Sequence, residues 1–207
     1  MSKKKNTSRY SVHPGVVMVQ KWIAELPAKT GKSFEQWLAF IEKEGPADEA
    51  ARRDWLKAEH GMGTNSAWWL AERSVGKGEE DSDPDLYLQA AERYVDAMFE
   101  GKRAGLRPIY EALLELGLGM APDVKACPCQ TIVPFYRNHV FAQIKPATNT
   151  RVDLGFALKD TPFTKRLLDT GGLKKKDRIT HRIAITALSD IDNEVKRWLR
   201  KAYDMDT

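Results

Sequence analysis

The chain predicts an α+β protein, in which an N-terminal helical bundle precedes a mainly antiparallel, four-stranded sheet covered on one face by helices. Three observations predict it. Residues 131–158, TIVPFYRNHVFAQIKPATNTRVDLGFAL, divide into three runs rich in β-branched and aromatic side chains, broken at Arg137-Asn138 and at 146–150 by residues suited to turns. Residues 14–76 instead space their apolar side chains at helical intervals and hold five of the six tryptophans. Between these regions, KGEEDSDPD at 77–85 is polar, acidic and turn-forming, which predicts a linker. The expected organisation is a disordered basic tail over 1–10, a Trp-rich helical domain over 11–76, a linker over 77–85 and an α+β domain over 86–207.

The helical region reads as four short helices. Val16, Val17, Gln20 and Ile23 begin the first, which Pro27 is expected to stop. Ser33 followed by Gln36 three residues on predicts a capping box for the second, whose stripe is Phe34, Trp37, Leu38 and Ile41. Asp48 is the expected cap of the third, closed by His60-Gly61, and Thr64 or Asn65 that of the fourth, stopped by Gly76. Beyond the linker, Pro84 opens a helix carrying Leu86, Ala90, Tyr94, Val95 and Met98, and Pro108 opens another. A fourth strand is expected over 178–186, alternating Ile179, His181, Ile183 and Ile185 with polar residues. Ser189 is the expected cap of the closing helix, whose Ile191, Val195, Trp198, Leu199 and Ala202 form one face that must cover the sheet.

Period-two alternation sorts the sheet into two faces. Val140, Ala142 and Ile144, with Val152, Leu154 and Phe156, are expected to pack on helices. The other face is expected to gather Phe135, Arg137, Phe141, Gln143, Lys145, Arg151, Asp153, Arg178 and Arg182. That mixture has the composition needed to stack a base or planar ligand and to hold a phosphate or carboxylate. Cross-strand ion pairs that solubilise one face account for the same residues.

Composition bounds the function classes. The formal charge is +4, unevenly spread: residues 1–10 carry four Lys/Arg and no acid, 11–104 twelve against seventeen, and 105–207 seventeen against twelve. A basic C-terminal part suits an anionic partner. No apolar run approaches the roughly 20 residues that span a bilayer, and with no signal-peptide pattern the expected location is the cytoplasm, without membrane partners. Cys127 and Cys129 flank a proline, too close for an unstrained bridge, which suits a reducing compartment.

No motif calls for a cofactor or a metal. Gly31-Lys32-Ser33 ends like a P-loop, but Leu26 stands where its first glycine belongs and a helix precedes it; Gly61-Met62-Gly63 has Ser66 at the third glycine position of a dinucleotide fingerprint. The four histidines, His13, His60, His139 and His181, show no metal-ligand spacing with the two cysteines. A helix-turn-helix reading of residues 50–75 would offer a DNA groove only Asn65, Glu72 and Arg73 beside two tryptophans, so these helices are expected to be a packing unit or a dock for a protein partner.

Two segments resemble known families. TGKSFEQWLAFIEKEG with WLKAEHGMGTNSAWWLAE resembles the helical domain of unknown function DUF4287, although Thr64 and Ser66 stand where that pattern carries histidines. GKRAGLRPIYEALL, TIVPFYR, FAQIKPATNTRVDLGFAL, THRIAIT and the terminal WLRKAY resemble the α+β domain of unknown function DUF5655. The resemblance implies a bacterial two-domain protein, and it brings no catalytic residue with it. The expected function is a non-enzymatic binding or regulatory module whose open sheet face takes an anionic ligand, nucleic acid being one candidate. The alternative is a small enzyme acting between the domains on a phosphate- or carboxylate-bearing substrate, with His181, Asp153 and Tyr136 as proton-transfer groups.

Overall fold

The computed structural model describes residues 8–207, so Lys3, Lys4 and Lys5 of the basic tail lie outside the described residues. The chain divides into two compact units. Val12–Leu88 form the first, and Gln89–Thr207, joined by the described residues up to Ser11, form the second.

The first unit is helical. Helix α1, Pro14–Thr30, runs through Pro27 rather than stopping there and ends at Gly31, whose left-handed φ of 75° only glycine adopts without strain. Helix α2, Phe34–Glu44, carries both bonds of the Ser33–Gln36 capping box. Helix α3, Glu49–His60, is capped by Asp48, and α4, Thr64–Arg73, starts at Gly63 with no side-chain cap. Leu26, Trp37, Ile41, Leu56, Ala67 and Leu70 form the core, with Trp22, Phe40 and Trp55 packed around it. Residues 77–83 are not a free linker: the buried Arg73 donates to the Lys77 carbonyl at 3.1 Å, and Gln20 to that of Ser82 at 2.9 Å. The division between units falls instead inside helix α5, Pro84–Met98.

The second unit is α+β, and among the described residues its antiparallel sheet has six strands rather than the expected four. After helix α6, Arg107–Leu118, the strands are β1 Lys125–Ala126, β2 Val133–Tyr136, β3 Val140–Pro146, β4 Val152–Phe156, β5 Leu168–Asp169 and β6 His181–Ile185, ordered β1-β2-β3-β4-β6-β5. A short helix α7, Gly172–Lys175, precedes β6, and α8, Asn193–Asp204, closes the chain. Asp192, not Ser189, caps α8: its Oδ1 accepts the N–H groups of Glu194 and Val195. The two added strands have two residues each, too few to show a period.

Register sets the inner face. Ala142, Phe156 and His181 lie side by side across β3, β4 and β6, as do Ile144, Leu154 and Ile183, and all six are buried. Helix α6 comes so close that a Cβ built on Gly117 would stand 2.4 Å from Phe135 Cζ. The start of the chain joins this unit: Ser11 N–H donates to the Ala126 carbonyl at 2.9 Å, and Tyr10 is buried. The expectation of a disordered tail therefore fails at Tyr10.

Candidate functional site

The outer face of the sheet follows from the same register. Gln143, Gly155 and Arg182 are cross-strand neighbours, as are Lys145, Asp153 and Ala184, so Gln143, Lys145, Asp153 and Arg182 share the face opposite the helical core. Together with Arg178 they line a groove of about 580 Å³. Gly155 makes its floor possible, since a Cβ there would meet Ile179 Cγ2 at 2.7 Å and Gln143 Cγ at 3.1 Å. Ile179 thus lies over the outer face, whereas simple alternation with His181 placed it inside.

Two carboxylates hold the arginines. Asp153, with 13% of its side chain exposed, takes Arg151 Nε at 2.8 Å and Arg182 Nη1 at 3.3 Å. A single carboxylate so shared neutralises only one of the two guanidinium charges. Lys145 is exposed beside it, and among the described residues no carboxylate lies within 4 Å of its ammonium. The second carboxylate, Asp206, is buried. Its Oδ2 accepts the N–H groups of Asn138 at 3.0 Å and His139 at 2.8 Å, and its Oδ1 accepts Arg178 Nη2 at 2.7 Å. Arg178 also donates from Nε to the Val140 carbonyl at 3.1 Å, which fixes its guanidinium at the groove's edge.

Other expected site residues lie elsewhere. Phe135 and Phe141 are fully buried, so neither offers a stacking surface. In the β2–β3 pairing Phe135 faces Ala142 and Tyr136 faces Val140, which leaves Phe141 as the extra residue of a bulge. Such a bulge breaks strict alternation. It turns the Phe141 ring inward, onto Phe135 at 6.2 Å and Tyr203 at 5.6 Å. Arg137 leaves the groove as well: it pairs with Asp123 at 3.2 Å, and its guanidinium lies 4.4 Å from the Tyr203 ring centre.

The three proposed proton-transfer groups are not assembled. His181 is on the inner face and Asp153 on the outer. His181 Nε2 lies 2.7 Å from the Thr161 carbonyl and must donate to it, so Nδ1 accepts from the Thr180 hydroxyl at 2.7 Å. Both nitrogens of a fully buried ring are thereby used, the arrangement of a core histidine. Burial and the nearby cysteines push the Tyr136 phenol up to about 12, and burial pushes the Cys127 thiol up to about 12, so both keep their protons near neutrality. Among the described residues no group of three or more His, Cys, Asp or Glu is placed to hold a metal ion.

Asp206 was not among the expected site residues: its backbone donors are 67 to 68 residues away in the chain and Arg178 is 28 away, which leaves no local pattern. Nor were Lys159 and Lys176, whose common feature is a positive φ. No helix is long and apolar enough to cross a membrane among the described residues.

Comparison with protein-family models matches residues 95–206 to a domain of unknown function (DUF5655) and residues 18–72 to a second (DUF4287). No curated protein and no solved structure matches the chain.

Proposed function

We propose, from the premise that this chain belongs to the family of the domain of unknown function DUF5655, that its C-terminal unit is a binding module for a small anionic ligand, taken in the outer sheet groove. One observation carries the reading: Arg178 and Arg182 are held at the groove by Asp206 and Asp153, next to Lys145, which no carboxylate neutralises within 4 Å among the described residues. Pre-positioned guanidinium groups lose little side-chain freedom when an oxyanion arrives. Asp153, Asp169 and Asp177 also line the groove, which favours a compact anion placed between the cations over a polyanion lying across the face. Nucleic acid is the weaker candidate, because a single-stranded ligand needs the aromatic platform that Phe135 and Phe141 do not offer. Cys127 and Cys129, too close in sequence for an unstrained bridge with each other, support a reducing, cytoplasmic setting.

Calorimetric titration of the full chain with inorganic pyrophosphate and with citrate at low salt tests this. Submillimolar binding is expected, weakened at least fivefold by Lys145→Ala and by Arg182→Ala. Millimolar association that neither substitution changes would remove the groove as a site. Single-stranded DNA and RNA in the same buffer give the second arm: affinity that falls by roughly 0.7 in its logarithm per phosphate contact for each decade of salt would favour a polymer instead.

A further inference from the structure

We infer that a second pocket in the C-terminal unit, between the α7 turn and the end of α8, binds the apolar body of an amphiphilic carboxylate. The pocket measures about 250 Å³, just under the ~300–1,000 Å³ usual for small-molecule sites. Ala157, Leu173, Ala202 and Met205 make its floor apolar, and Leu173 is 46% exposed although it is a large aliphatic residue on a four-residue helix. Lys159, Lys176 and Arg178 stand around that floor. Asp206 also borders the pocket, but its oxygens already accept from Arg178 and from two backbone N–H groups. Arg178 is correspondingly engaged, which leaves Lys159 and Lys176 against the single carboxylate of Asp177.

The backbone singles out the same two lysines. Among the described residues, Lys159 at φ 52° and Lys176 at φ 58° are the non-glycine residues in the left-handed region, while six glycines supply the other positive φ values. A side chain is disfavoured there, and glycine is the relaxed choice. Two strained positions, 17 residues apart in sequence, both put an ammonium-bearing side chain beside one apolar pocket. Strain of this kind clusters at ligand clamps. An apolar floor with two cations at its border suits a medium-chain or aryl carboxylate, whose head group meets the lysines while its body displaces water from Leu173 and Met205.

The inference stands apart from the reading of the sheet groove, although Asp177 and Arg178 border both, and the test separates them. The full chain is titrated with butanoate, hexanoate, octanoate and 1-hexanol, followed by NMR of amides around the pocket. Affinity is expected to rise about fourfold per added methylene from butanoate to hexanoate, and hexanol to bind at least tenfold more weakly than hexanoate. Lys159→Gly and Lys176→Gly, which relax the backbone and so keep the fold, should each weaken hexanoate at least fivefold without lowering the melting temperature. Lys145→Ala in the groove should leave hexanoate binding unchanged. Equal affinity for hexanol and hexanoate, or hexanoate binding that survives both glycine variants intact, would overturn the site whatever pyrophosphate does in the groove.

Discussion

The Tyr10 and Tyr110 hydroxyls lie 2.7 Å apart and buried, a hydrogen bond between the start of the chain and helix α6. Either phenol can donate, and each hydroxyl has the other as a buried partner. Burial raises the pKa of both. Removing one hydroxyl leaves its partner buried without this bond, which costs more than removing both. Tyr10→Phe and Tyr110→Phe are each expected to lower unfolding free energy by about 1–2 kcal/mol, and the double variant by clearly less than their sum. Urea titrations of the full chain measure the coupling, and strict additivity would mean that the bond contributes nothing. A fragment beginning at residue 84 lacks Tyr10 and should melt below the full chain's C-terminal unit.

Gly117 tests the packing of α6 on the sheet. A methyl group here would stand 2.4–2.8 Å from three atoms of the Phe135 ring, which is fully buried and cannot swing away. Helix propensity alone favours alanine over glycine by about 1 kcal/mol. Overpacking of a rigid core costs about 1–3 kcal/mol and should win. Gly117→Ala is therefore expected to destabilise, and Phe135→Leu in the same chain to recover part of the loss. A rise in melting temperature on Gly117→Ala would show that α6 lies farther from β2.

Asp206 makes the last turn of the chain part of the fold. Asp206→Ala would leave the Asn138 and His139 N–H groups without their acceptor and Arg178 without its carboxylate. Arg178 is 46% exposed, so water compensates much of its side of the loss. The expected cost is about 2–3 kcal/mol, mostly from the backbone donors. Arg178→Ala should cost less than half of that. Equal losses in chemical denaturation would shift the weight to the ion pair.

Alkaline pH should weaken the second unit. Cys127 and Tyr136, both near 12 when folded, titrate near 8.5 and 10 in an unfolded chain. Between those values the folded state binds more protons than the unfolded one, so stability is complete below about pH 8 and falls as pH rises toward 12. Cys127→Ala should flatten the first part of that decline, between about pH 8.5 and 10. Melting temperatures at half-unit intervals check it, and a wild-type profile that is flat to pH 10 and unchanged in the variant would contradict the buried thiol.

How far residues announce their own placement differs by element. The Ser33–Gln36 capping box, the Asp48 cap and the Gly61 stop were legible because each is a contact within a few residues. The inner face of β4 was legible too, since Val152, Leu154 and Phe156 alternate without interruption. The outer sheet face was only half legible. Gln143, Lys145, Asp153 and Arg182 lie where alternation put them, but one bulge residue between Tyr136 and Ala142 sent Phe141 into the core. Period-two geometry propagates along a strand only while every residue has one partner, and which strand absorbs an extra residue is decided by the neighbouring strand.

By itself, then, the amino-acid order determined the α+β class, the helical first unit and the polar side of the central strands, because these rest on spacing that neighbouring residues impose. Only the tertiary structure decided that Tyr10 belongs with Tyr110, that Asp206 holds the 137–139 turn and Arg178, and that Lys159 and Lys176 border one pocket. Those relationships join residues from 17 to 100 positions apart, and no local period encodes a partner at such a distance. They exist because burying the apolar faces of α6 and α8 on the sheet fixes where distant polar groups must meet.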